Sequence, residues 1–294
     1  MQYRWRRTLT LAAILGVLTM ALVSNCGISD VYNAAGSFGV PIPPEAQQVY
    51  QTYKKVDETY DEIKKWYDIV APLVQSDDEL ETYIRDQGVS YCQSHYSLHE
   101  SNQLTEIGNN VAENSERPDA ELPGSLRYEF YVSNESGLNA YTVGGGAVFV
   151  TRQLYEAMDE DEMAYVLGHE VGHINRKDVI KMVRNSSQFQ VLQELVFRGV
   201  GAIKTTGEVK LALAQLVSFT VQAVQAGYSR DCERVADRLG VRFSHKAGYD
   251  CHGAIRAVDY FQSATGPGSN CILCDHPSWP ERRNIIQQEI DGLE

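Results

Sequence analysis

Over residues 44–74, apolar and aromatic side chains, among them Val49, Tyr53, Val56, Tyr60, Ile63 and Tyr67, recur every three or four positions with Lys, Glu and Asp between them. That period predicts a long amphipathic helix, whose stripe is more simply explained by packing on the rest of the chain than by a coiled coil or a partner. A second helix is expected over residues 98–113. The period then shortens. Residues 127–133 alternate as Arg-Tyr-Glu-Phe-Tyr-Val-Ser, and residues 146–151 form a short apolar run after a glycine turn, so both predict strands. Asp159, Glu160, Asp161 and Glu162 then gather where a helix N-terminus favours negative charge, and Met163, Val166, Leu167 and Val171 follow at helical spacing. Residues 182–200 and 209–224 also pattern as helices. The second is uncharged from Leu211 to Ser229, yet Gln215, Ser218, Gln222 and Gln225 interrupt it. A buried helix or a lid over a cleft fits that better than a membrane span. Ser229 can cap a further helix, with Val235, Ala236, Leu239 and Val241 as its apolar positions. The pattern as a whole predicts an α+β chain, mostly helical, with a small sheet ahead of the helix around residue 170.

That helix carries the chemistry. His169, Glu170, Val171, Gly172 and His173 form an H-E-x-x-H pentapeptide. Positions four apart lie on one helical face, so both imidazoles can bind a single Zn²⁺ with Glu170 beside the ligand water. Burying two histidines and a glutamate without a metal or partners is costly, which weighs against ordinary core polar residues. A catalytic zinc commonly takes three protein ligands, two His and one Glu being one such set. In the segment from Tyr228 to Asp237, Glu233 and Asp237 share one face, with Glu233 placed to reach a metal and Asp237 to accept the spare N–H of a ligand histidine. Arg230, Asp231, Arg234 and Arg238 are charged too, and by spacing alone a solvated charged face explains the segment equally well.

Four blocks stand in order: Asn139-Ala140-Tyr141-Thr142-Val143-Gly144-Gly145-Gly146; Val148-Phe149-Val150-Thr151; Val166-Leu167-Gly168 with the pentapeptide; and Ser229-Arg230 with Glu233 and Ala236-Asp237. Together they resemble the gluzincin family of zinc peptidases that includes HtpX, BepA, LoiP and the CaaX prenyl endopeptidase, nearest to its periplasmic lipoprotein-type members, over about residues 97–283. The resemblance implies a zinc metalloendopeptidase with one Zn²⁺ per chain on His169, His173 and Glu233. It makes Glu170 the general base and Asp237 the carboxylate that orients a ligand histidine. The segment from His276 to Arg282 resembles the family's H-P-x-x-x-x-R element and brings His276 and Arg282 to the active site as catalytic candidates. There His276 either stabilises the oxyanion or takes the open zinc position and holds the enzyme latent; structurally, it caps a turn while Arg282 pairs with a buried carboxylate such as Asp237. In related peptidases the strand before the zinc helix is an exposed edge to which an extended substrate adds. Asn139, Tyr141, Gly144, Gly145 and Gly146 are then substrate-binding, the glycines admitting the substrate backbone or supplying a turn's positive φ.

Charge and the N-terminus place this chemistry. Arg4, Arg6 and Arg7 precede an apolar run over residues 9–23 and then Val23-Ser24-Asn25-Cys26, the order of a secretory signal. Cys26 resembles the lipidated cysteine of a bacterial lipobox. Asn25 departs from the Gly or Ala expected before it, which leaves ordinary cleavage open, while an uncleaved anchor is disfavoured by the shortness of the run. Residues 1–25 read as signal peptide, 26–44 as tether, 45–94 as a helical extension and 95–294 as the peptidase domain. Gly27 is compatible with an outer-membrane lipoprotein on the periplasmic side of the cell envelope. The formal charge of −13 includes the three arginines of the signal, and nucleic acid is excluded as a partner. The expected partners are unfolded or misassembled envelope polypeptides, a membrane holding the lipid anchor, and envelope assembly machinery. A chaperone-like or assembly protein on the same zinc fold, or a peptidase held latent by His276, is the alternative. Cysteines at 26, 92, 232, 251, 271 and 274 suit an oxidising compartment. Cys271 and Cys274, just before His276, are a redox pair, half of a metal site or, more simply, the partner of Cys251 in a disulfide.

Overall fold

The computed structural model describes residues 44–199, 206–265 and 277–293. The expected signal peptide and tether, Cys26, Cys271, Cys274, His276 and the expected bridge to Cys251 lie outside these. The chain divides into two compact units, residues 1–68 with 199–206, and residues 69–198 with 207–294. Of the first, residues 44–68 are helical and belong to α1 (Pro44–Gln75), which runs the length its apolar period predicts.

The second unit holds the remaining elements. Ser76 caps α2 (Asp77–His95), accepting from the Glu79 N–H while Asp77, Asp78 and Glu79 face the positive end of the helix dipole. The helix expected from residue 98 starts later. Leu98–Glu100 is a short strand, β1, and Ser101 caps α3 (Asn102–Glu113) by accepting from Leu104 N–H. Three further strands follow, β2 (Glu129–Ser133), β3 (Ala140–Gly144) and β4 (Ala147–Thr151). The sheet order is β1-β2-β4-β3, with β2 and β4 parallel and the two outer pairings antiparallel. β4, which immediately precedes the following helices, is internal and buried at every position; the edge strands are β1 and β3, and β3, one strand earlier in the chain than β4, has no strand beyond it.

The β3–β4 turn explains its own glycines. Gly144, Gly145 and Gly146 have φ of 86°, 57° and 94°. A Cβ on Gly146 would lie 2.4 Å from the Arg127 carbonyl oxygen, and one on Gly145 2.8 Å from Arg85 Cβ. Positive φ and close protein backbone therefore both demand glycine here.

After α4 (Arg152–Ala157), a capping box of Asp159 and Glu162 starts α5 (Glu160–Asn175), the central helix, buried at every residue from Met163 to Ile174. Lys177, at φ 54°, turns the chain into α6 (Asp178–Arg184), followed by α7 (Ser187–Arg198) and α8 (Thr206–Ala226). By length and composition α8 could cross a membrane, but one face, including Leu213, Leu216, Thr220 and Val224, is buried within the chain. Ser229 caps α9 (Arg230–Lys246), and α10 (Gly253–Thr265) and α11 (Trp279–Asp291) complete the second unit. α9 crosses α5 at paired glycines: a Cβ on Gly168 would lie 2.9 Å from the Gly240 carbonyl oxygen. That close approach sets the site. The core beneath it joins Leu104, Val111 and Phe130 to Val150, Leu167, Val171, Val241 and Ile286.

Candidate metal centre and active site

α5 presents His169 and His173 one turn apart, with their Nε2 atoms 3.2 Å from each other. α9 brings Glu233 against both, its Oε2 3.5 Å from His169 Nε2 and its Oε1 3.6 Å from His173 Nε2. All three are buried and form one potential metal-binding group. One ligand atom from each of the three lies within 4.8 Å of the others, and ligands at about 2.0–2.1 Å from a tetrahedral ion stand about 3.3 Å apart, so the group is compact enough to close on such an ion. Beside them Glu170 is also buried, and its Oε2 has no hydrogen-bond partner among the described residues. Burial raises the Glu170 carboxyl above its ordinary pKa. An unpartnered carboxylate oxygen next to three converging donors fits a metal and its water.

Each histidine is aimed by its second nitrogen. His169 Nδ1 lies 3.0 Å from Asp237 Oδ1. Asp237 in turn accepts from Arg282, Nε to Oδ2 at 3.0 Å and Nη2 to Oδ1 at 2.5 Å, and from the Tyr165 hydroxyl at 2.9 Å. Burial would raise Asp237, but Arg282 and His169 hold it down at about 2. Burial would likewise lower His169, yet Asp237 and Glu233 carry it up to about 10, because they concentrate negative charge around it. His173 Nδ1 lies 3.0 Å from Asp178 Oδ2, and Asp178 also pairs with Arg176 and Lys181. Asp178 is not legible from spacing: it lies five residues beyond His173, past the end of α5, and reaches back only because Lys177 reverses the chain. Tyr228 is a second omission. Its ring stacks on His173 at 3.9 Å between centroids, and its backbone N–H donates to Glu233 Oε1 at 3.2 Å.

The structure thus joins His169, Glu170, His173, Glu233, Asp237 and Arg282 in one buried cluster. Arg282 stacks over Trp279, pairs with Asp237 and approaches Glu233 Oε2 to 3.9 Å. The residues expected to bind substrate are placed differently. Tyr141 is buried, stacks on Phe149 and donates to Glu135 Oε2 at 3.1 Å, and the three glycines are buried in their turn. Asn139 is half-buried, its N–H donating to Thr151 Oγ1. Their conformations answer to the chain's own packing. Cys92 is buried with its Sγ 3.6 Å from the Tyr141 hydroxyl, and burial pushes its thiol up to about 11.

Two histidines and a glutamate from crossed helices, with Glu170 in sequence between the histidines, define a metallopeptidase site of the His-His-Glu class. Residues 98–290 match the model of Peptidase family M48, and the chain belongs to that family. It is 26% identical to the Metalloprotease YcaL of Escherichia coli (strain K12) over 165 residues, 56% of this chain and 62% of that one. It is 28% identical to the Mitochondrial metalloendopeptidase OMA1 of Arabidopsis thaliana over 166 residues, 55% of this chain and 32% of that one. To the Beta-barrel assembly-enhancing protease of Yersinia pestis it is 30% identical over 128 residues, 42% of this chain and 26% of that one. The matches span less than two thirds of the length of these relatives. Family membership implies a metal, and His169, His173 and Glu233 are a fully buried group that offers it three donors.

Proposed function

We propose that the protein is a zinc-dependent endopeptidase, tethered to a membrane through Cys26 on the periplasmic side of the cell envelope, that hydrolyses peptide bonds of misfolded or unassembled envelope proteins. The observation that carries the chemistry is the Oε2 of Glu170, without a partner among the described residues, beside three buried donors that converge to within 4.8 Å of one another. Zinc on His169, His173 and Glu233 would supply Lewis acidity to the scissile carbonyl and acidity to the attacking water. Glu170 receives the proton of that water at Oε2 and returns it to the departing amine, a role suited to a carboxylate whose pKa burial has raised. Asp237 and Asp178 keep the imidazole nitrogens turned inward. Arg282 fixes Asp237 and adds positive charge near Glu233. An extended substrate would present its backbone by pairing with the free edge of β3.

The envelope setting is supported by the order of charged, apolar and small residues before Cys26, and the substrate class by likeness to a protein named for enhancing β-barrel assembly. The test is cleavage of an unfolded protein by the purified full chain, with and without a zinc chelator, beside Glu170→Gln at equal zinc content. Chelator-sensitive cutting abolished by Glu170→Gln is expected. Absence of cutting by the zinc-loaded wild type would overturn the peptidase reading in favour of a binding scaffold, unless His276→Ala released activity and revealed latency.

A further inference from the structure

Tyr228 joins the metal site to the substrate edge. Thr151 N–H donates to the Asn139 carbonyl, and the register pairs Tyr141 with Phe149. Alternation along an antiparallel pair therefore turns the backbone groups of Asn139 and Tyr141 toward β4, and those of Ala140 and Thr142 toward the free edge. That edge is where an added strand would bond. At Thr142 the place is taken: the Tyr228 hydroxyl donates to the Thr142 carbonyl at 3.3 Å, and Thr142 is fully buried. The same side chain stacks on His173, while the backbone of Tyr228 donates to Glu233. One residue thus contacts both arms of the candidate metal site and the first hydrogen-bonding position beside it.

We propose that Tyr228 is a positioning residue that holds the Thr142 carbonyl in the resting protein and yields it to the backbone N–H of an extended substrate, its ring meanwhile keeping His173 in place. The proposal rests on the reading of the chain as a peptidase that takes extended polypeptides. It separates two functions of one side chain, the hydroxyl competing with substrate and the ring supporting the metal.

Tyr228→Phe removes the hydroxyl and keeps the ring, whereas Tyr228→Ala removes both. Binding of unfolded β-casein is measured on the full chain carrying Glu170→Gln, which holds casein without cutting it, with and without Tyr228→Phe. Zinc affinity of each Tyr228 variant is measured separately by competition with a chelator. Freed of its competitor, the Thr142 carbonyl should bind casein about three- to tenfold more tightly, the worth of one hydrogen bond. With Glu170 intact the change should fall on KM and not on kcat. Zinc affinity should match wild type in Tyr228→Phe and fall about tenfold in Tyr228→Ala. Unchanged or weaker casein binding in Tyr228→Phe, or a loss in kcat at constant KM, would overturn the proposal. A wild type that holds zinc and cuts nothing would instead remove the peptidase reading, so the two failures are distinguishable.

Discussion

Asp178 and Asp237 do the same work on opposite histidines, each accepting at Nδ1 so that Nε2 faces the metal position. Asp178→Asn should weaken zinc by about 10- to 100-fold in a chelator competition while leaving the far-ultraviolet circular dichroism of the apoprotein unchanged. Asp237→Asn should cost stability as well, since Arg282 would lose the anion that offsets its burial. Cys92 offers a control away from the site. With its thiol pushed up to about 11, it should resist iodoacetamide in the folded protein at pH 8 and react once denaturant is added, as followed by peptide mass spectrometry. A raised folded pKa also sets the sign of its linkage. Its contribution to stability is complete below the ordinary thiol value of 9.0 and is lost as pH rises through about 11. The H-E-x-x-H pair was legible because helical geometry places residues four apart on one face. Glu233 was only half legible, since spacing could not tell a ligand from a solvated charge, and Asp178 was illegible because its approach depends on a reversed turn.

The crossing of α5 and α9 decides whether the site exists. In a helix interior, Gly→Ala ordinarily stabilises by about 0.5–1 kcal/mol. At Gly168 the added methyl would meet the Gly240 carbonyl oxygen at 2.9 Å, a backbone atom that cannot step aside. Gly168→Ala should therefore reverse the sign and destabilise by about 1–3 kcal/mol. Because the strain prises α9 from α5, zinc affinity should fall further than the melting temperature alone would suggest. Calorimetry and chelator competition on one variant check both. The long helix to residue 75 and the strands around residues 130 and 148 followed directly from apolar period. β1 did not, because three residues carry too little pattern to oppose the helical spacing that follows them. Nor did the order of the sheet: alternation marks a strand without naming its neighbours, and β4 became internal only when β3 folded back on it.

Across the second unit, a buried ion pair links parts far apart in the chain. Arg117 donates to both carboxylate oxygens of Glu81, at 2.7 and 2.8 Å, and to the carbonyl of Ile174 at the end of α5. Glu81 also accepts from the Gly145 N–H in the β3–β4 turn. The pair thus ties α2, the free-edge hairpin and the zinc helix together. Glu81→Ala should cost about 3–5 kcal/mol in urea denaturation, because it leaves Arg117 buried without its anion.

What the sequence determined by itself is local: the long helix to residue 75, the helices that carry the histidines and Glu233, two of the four strands, the facing histidines with their glutamate, and the kinship implied by four ordered blocks. These depend on the period of the backbone and on short spacings, which any chain of this sequence must obey. The tertiary structure alone decided that Glu233 meets the histidines, that Asp178 and Tyr228 lie against them, and that β3 is an edge strand while β4 is internal. Those relations join residues from separate elements, and their distances come from how closely two helices cross and which strands pair, quantities that no local pattern contains.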